Sequence, residues 1–192
     1  MNSSFILNSL KVLFPHNKFG ICEAFVYPEE SDFLTINRSN YTHEFEVKVS
    51  RSDFWADFKK KKHSRFSSIM KGDEYYMNHK NKAKETCDIS RYIDAYERGY
   101  KRSPVLHNAN APWASSVWFS KIKYDYLPNR FSFVVPEGMV SKEEVPNYAG
   151  LYYVDDLGIV TNVKKSKLLH KAKFKAWETL ASKYYWQLIN SK

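Results

Sequence analysis

His43-Glu44-Phe45-Glu46-Val47-Lys48-Val49-Ser50, running directly into Arg51-Ser52-Asp53-Phe54, is the stretch from which the fold is read. Apolar residues at 45, 47 and 49 alternate with polar residues at 44, 46, 48 and 50, the period-two pattern of a strand with one buried face. Glu46 and Lys48 therefore point the same way, about 7 Å apart along the backbone. At that spacing a carboxylate and an ammonium can converge on one phosphate and its metal ion. Glu44 shares their side.

Upstream, Lys18 to Tyr27 reads as a strand stopped by Pro28, with Glu23 its one acid. Asp32 to Asn37 reads as a second strand. The polar turn Arg38-Ser39-Asn40-Tyr41 joins it to the Glu46 strand as an antiparallel hairpin. Directly opposed residues share a face, so Asp32 joins Glu46 and Lys48 only if it stands opposite one of them. A two- or four-residue turn centred on Ser39-Asn40 misses that register by one residue. The site therefore requires a three- or five-residue connection, or a bulge near Asp32. Before these strands, residues 3 to 14 place Phe5, Ile6, Leu10, Leu13 and Phe14 at helical spacing, ended by Pro15.

Downstream, Ser52 is the expected N-cap of a helix over 53–62, whose last turn carries Lys59, Lys60, Lys61 and Lys62. Those lysines read either as a dipole-complementary helix end or as a phosphate-contacting patch. Residues 64–127 are polar, aromatic and weakly periodic and are treated as an insertion, helical over 73–99 and looping over 103–112. His63, His79, Cys87 and His107 have no compact zinc-ligand spacing. Tyr75, Tyr76, Trp113 and Trp118 are the candidate rings for stacking on unpaired bases. Asn129 to Val135 reads as an interior strand. Residues 150–154 and 159–163 read as a hairpin whose turn accounts for Asp155 and Asp156. A final helix over 167–189 would bury Trp177, Leu180, Ala181, Tyr184 and Leu188. Lys164, Lys165, Lys167, Lys171, Lys173 and Lys175 crowd its start, against the helix dipole, which points to an anion.

The chain of 192 residues is expected to form one domain, 1–192, with the insertion inside it. Hydrophobic content of 43% and a mean hydropathy of -0.57 describe a soluble chain without a bilayer-length apolar run. The N-terminal pattern is amphipathic and lacks the basic region of a signal peptide. Cys22 and Cys87 make no disulfide framework, which suits a reducing, cytoplasmic location. A net charge of +9 and a pI near 9.3 favour a polyanionic partner, with nucleic acid the default, although net charge alone does not choose between nucleic acid, an anionic membrane surface and mere solubility. The partner expected is nucleic acid and no membrane.

At this point the residues resemble a known family. Glu23, Ser31-Asp32 and Glu46-Val47-Lys48, in that order, look like the PD-(D/E)XK nuclease superfamily, with Ser31 where the family name has proline. The likeness extends through residues 45–54, Asp57-Phe58-Lys59-Lys60, Pro128 to Gly138 and Val145 to Leu151. These are similar to small nuclease-like proteins of bacteriophages and bacteria related to MmcB-like DNA repair proteins. The resemblance covers about residues 19–62 and 128–175 and leaves the insertion unmatched.

It implies an α/β fold with a restriction-endonuclease-like core, α-β-β-β-α-β, its mixed sheet flanked by helices. It further implies a Mg²⁺- or Mn²⁺-dependent phosphodiesterase, a deoxyribonuclease before a ribonuclease, in a bacterial or phage-infected cell. Asp32, Glu46 and Lys48 would be catalytic. Asp32, Glu46 and the main-chain carbonyl of Val47 would hold the metal, and Glu23 would hold a second ion or bridge through water. Glu44 would be a reserve ligand, although an exposed strand position explains it as well. Arg51, Lys59 to Lys62, Lys164, Lys165, Lys167 and Lys171 would contact nucleic acid, and a homodimer is left open. Two other readings stand beside this one: a nuclease-like module that binds nucleic acid or protein without cleaving, and a lysine-rich membrane-surface protein.

Overall fold

Phe5, Ile6 and Leu10 recur at the spacing that gives helix α1, Ser3–Leu13, started by Asn2, whose side-chain oxygen accepts the Phe5 N–H at 2.9 Å. The computed structural model describes residues 1–14, 19–27, 29–72, 75–79, 117–121, 124 and 127–190. After α1 come β1 (Phe19–Ala24), β2 (Ser31–Ile36), β3 (Thr42–Val47), α2 (Arg51–Asp57) and α3 (Lys61–Lys71). Then follow β4 (Tyr75–His79), β5 (Val117–Lys121), β6 (Arg130–Pro136), β7 (Ala149–Val154), β8 (Val160–Lys164) and α4 (Trp177–Asn190). The chain divides into two bodies: Met1–Lys59 with Lys123–Lys192, and Lys60–Ile122.

In the first body six strands form one mixed sheet in the order β1-β2-β3-β6-β7-β8. The first three run as an antiparallel meander, β6 and β7 continue parallel to β3, and β8 turns back antiparallel. In the second body β4 pairs antiparallel with β5, and α3 lies beside β4. No helix among the described residues is long and apolar enough to cross a membrane.

Strand alternation separates two cores. Phe33, Phe45 and Val47 join Ile6 and Leu10 of α1, with Val134, Tyr152 and Val154, on one face of the sheet. His43 belongs to this face: its ring stacks on Phe45 at 4.0 Å and its Nε2 lies 2.8 Å from Ser132 Oγ. Burial, aided by the charge of Arg130, pushes its pKa down to about 3, so the ring is neutral. On the other face Ile21, Ala24, Leu34 and Ile36 pack with Phe174 and Leu180. There Phe54 of α2 meets Phe133 edge to face at 4.9 Å. Helices therefore flank both sides.

The β2–β3 connection is Asn37 to Tyr41, five residues long, and sets Phe33 opposite Phe45 and Leu34 opposite Glu44. Asn37 Oδ1 accepts the N–H groups of Ser39 and Tyr41 at 2.9 and 3.0 Å, and Asn40 takes the left-handed conformation (φ 61°) that asparagine tolerates. This is one of the connection lengths the site required.

Three expected elements differ. The helix foreseen over 53–62 begins two residues earlier, capped by Ser50, and ends at Asp57. Lys60 is extended (ψ 141°) and starts α3, so the four lysines do not encircle a helix end. The stretch 73–99 is not helical where it is described, since Tyr75–His79 is a strand; its remainder from 80, and the loop 103–112, lie outside the described residues. The last helix starts at Trp177, with Glu178 in its first turn, not at 167.

Residues 165–176 instead run as an irregular strap whose N–H groups are drawn to carbonyls of the connections beside the strands. Lys167 donates to Tyr148 O, Leu169 to Asn129 O and Phe174 to Asn40 O. The lysines of this segment therefore face no helix dipole. Of the expected apolar face, Leu180 is buried and Ala181 is exposed.

Asn129 ties the strap down. Its buried side chain accepts from Thr42 N and Oγ1 and donates to the carbonyls of His170 and Ala172 at 2.9 and 2.8 Å. Asn129→Ala removes the acceptor of the Thr42 N–H and the side-chain donor to the carbonyls of His170 and Ala172. It is expected to lower the free energy of unfolding by about 3 kcal/mol, read as a lower urea midpoint with an unchanged slope.

Candidate active site

Continued one pair past Phe33 and Phe45, the hairpin register sets Asp32 level with Glu46, on the sheet face that α2 covers. The β2–β3 ladder stops at Phe33 and Phe45. Two residues beyond Phe45, the Val47 N–H donates to Asp32 Oδ2 at 2.7 Å instead of to a strand carbonyl. A carboxylate thus takes over from the main chain where the strands part. Val47 ends β3, and the next residue, Lys48, is anchored through its N–H to Val134 O at 3.0 Å.

The Lys48 ammonium lies 3.1 Å from Glu46 Oε2 and 2.9 Å from Asp57 Oδ1. All three side chains are nearly sealed, at 7, 1 and 0% exposure. Burial alone would depress the Lys48 pKa, but the charges and hydrogen bonds of Glu46 and Asp57 outweigh it and raise the pKa above the ordinary lysine value. Lys48 is therefore a fixed cation at neutral pH. Glu44, the reserve ligand, is also buried on this face, opposite Leu34.

Asp57 is the site residue that the sequence reading missed. It follows Phe54 by three residues, and Phe54 and Phe58 both pack on Phe133. An acid at that spacing shares the helix face directed at the sheet. That spacing was the available signal.

Glu23 does not join the set. The β1–β2 register would put it level with Asp32, but it adopts a left-handed backbone (φ 50°) that breaks the alternation. Ala24 packs beside Leu34 and Ile36 instead, and Glu23 is exposed. Among the described residues no three His, Cys, Asp or Glu side chains are grouped to hold a metal ion. The donor chemistry nonetheless suits a hard cation, since Asp32 and Glu46 offer carboxylate oxygens on one face and Mg²⁺ keeps several waters of its own.

The expected nucleic-acid contacts divide. Lys59, Lys61, Lys165, Lys167 and Lys171 are exposed. Lys60 is half-buried and Lys62 is buried, which removes Lys62 from a phosphate-contacting surface. Arg51 is engaged in the protein: its guanidinium forms a two-pronged pair with the Glu144 carboxylate and donates to Met139 O at 2.7 Å. Lys164 directs its three donors at the carbonyls of Lys142, Val145 and Pro146, a bracing role under the β6–β7 connection. Tyr75, Tyr76 and Trp118 lie on the two-stranded sheet, and Trp113 falls outside the described residues, as do His107 and Cys87.

No protein-family model matches the chain, and no curated protein matches it. Among solved structures, the chain is similar to the SPO1766 protein of unknown function from Silicibacter pomeroyi, at 14% identity and a TM-score of 0.46. That alignment covers 93% of this chain and 80% of the other. A likeness of that size carries no argument about activity.

Removing the ammonium while Glu46 and Asp57 stay buried leaves two carboxylates facing each other. Lys48→Met is expected to lose about 3–5 kcal/mol of stability at pH 7 in urea unfolding. Because the folded-state pKa of Lys48 is raised, its contribution is intact below the ordinary lysine value of about 10.4 and is lost as pH rises through the folded value. The gap between wild type and Lys48→Met should therefore close in strong alkali. A gap constant with pH would mean that packing and not charge holds the cluster.

Proposed function

We propose that this protein is a metal-dependent nuclease of the PD-(D/E)XK type, hydrolysing phosphodiester bonds of nucleic acid, DNA before RNA. The observation that carries the reading is the placement of Asp32 level with Glu46, on the face Lys48 shares, where the β2–β3 ladder opens. Within the first body the order α1-β1-β2-β3-α2-β6, with β6 parallel to β3, supports a restriction-endonuclease-like core.

Asp32, Glu46 and the carbonyl of Val47 would hold Mg²⁺ or Mn²⁺, which when bound supplies a water made nucleophilic near neutral pH and neutralises charge on the phosphate. Asp32 is oriented for this by the Val47 N–H. Lys48, held protonated by its two carboxylates, serves as an electrostatic group for the charge that builds on the phosphate and not as a general base. Lys59, Lys61, Lys165, Lys167 and Lys171 would gain affinity by displacing the cations condensed on the nucleic-acid backbone. Glu23, turned out of the strand alternation, has no part in this scheme.

The enclosure of Lys48 between Glu46 and Asp57 favours a second reading, a nuclease-like module that binds nucleic acid without cutting it. Incubation with supercoiled plasmid, single-stranded DNA and RNA, with and without Mg²⁺ or Mn²⁺, separates the two. Cleavage that depends on the metal is expected. Asp32→Asn keeps an oxygen to accept the Val47 N–H but loses the charge, and should abolish cleavage while the protein stays folded by circular dichroism. Binding without cleavage of every substrate would establish the module, and full activity in Asp32→Asn would exclude this site.

A further inference from the structure

The pairing of Lys48 creates a conflict for the proposed site. Glu46 cannot give its carboxylate to a divalent cation while sharing it with a buried ammonium, because the cation and Lys48 repel and an unpaired buried lysine is costly. The structure holds a second partner already in place. Asp57 Oδ1 stands 2.9 Å from Lys48 Nζ, as close as Glu46 Oε2 at 3.1 Å, and comes from a different element, α2. That helix is fixed independently of the ion pair, by the Ser50 cap at its start and by the packing of Phe54 and Phe58 on Phe133.

We propose that Asp57 is a positioning residue that retains the Lys48 ammonium when Glu46 turns to a metal ion, so that one carboxylate is released without leaving a buried charge unpaired. The inference rests on the nuclease reading and adds a regulator of the same centre. It assigns the two carboxylates distinct duties: Glu46 exchanges its partner, and Asp57 does not. Without the Asp57 charge, Lys48 has Glu46 alone among these two and competes harder with the metal.

The test is Mn²⁺ binding by isothermal titration calorimetry in the absence of nucleic acid. Asp57→Asn is expected to weaken Mn²⁺ binding about tenfold or more, the scale of one close charge pair, and Asp57→Glu to restore most of it. In the double variant Lys48→Met/Asp57→Asn no ammonium remains to be retained, so the weakening caused by Asp57→Asn should vanish when measured against Lys48→Met. If Lys48→Met does not fold, Lys48→Gln serves in the same cycle.

Equal affinity in wild type and Asp57→Asn would overturn the inference while leaving the nuclease reading intact. The same weakening by Asp57→Asn with and without Lys48 would also overturn it, by showing that Asp57 acts through the fold. Failure of the wild-type protein to bind Mn²⁺ would overturn both.

Discussion

Asn37 fixes which way the centre of this molecule faces. Its side-chain oxygen gathers two backbone N–H groups of the β2–β3 connection and holds that connection at five residues. Strand side chains alternate, so a connection one residue shorter would turn one arm of the hairpin over relative to the other. Phe33 and Phe45 could not then both meet α1, and Asp32 would be carried away from Glu46. The same register that closes the apolar core under α1 gathers the acids on the far side. Folding energy and site geometry thus draw on one local hydrogen-bonding motif.

On that far side the balance is electrostatic. Three carboxylates, Glu44, Glu46 and Asp57, are nearly sealed from water on the face that carries Lys48. Charges so placed persist when partnered, and the Lys48 contacts to Glu46 and Asp57 are of nearly equal length. Asp32 differs in kind, because it is partly exposed and held by a backbone donor. The face therefore carries one acid near solvent and a sealed ion cluster behind it.

The hairpin, the interior strand β6 and the tight turn after β7 were legible in the sequence because alternation, apolar runs and turn residues are local signals. The need for an odd-length connection was legible too, but only as a condition on the site. What escaped was set by distant partners. Residues 165–176 have spacing that suits a helix, yet Asn129 and the carbonyls of Asn40 and Tyr148 capture that segment for the sheet. The break after Asp57 has no glycine or proline to announce it. Glu23 was placed by its strand pattern, which a single left-handed residue undoes. Lys164 and Arg51 read as surface charge because their partners, the carbonyls of the 142–146 stretch and Glu144, are remote in sequence.

Strands β3 and β6 lie side by side although the whole second body, Lys60–Ile122, is spliced between them. In polymer terms the junction is a closed loop, and loop closure grows only logarithmically with length, about 0.6 kcal/mol for each doubling. Large changes in the spliced segment are therefore thermodynamically inexpensive for the sheet that frames it. The pairing of β3 with β6 is thus nearly indifferent to how many residues the inserted body contains.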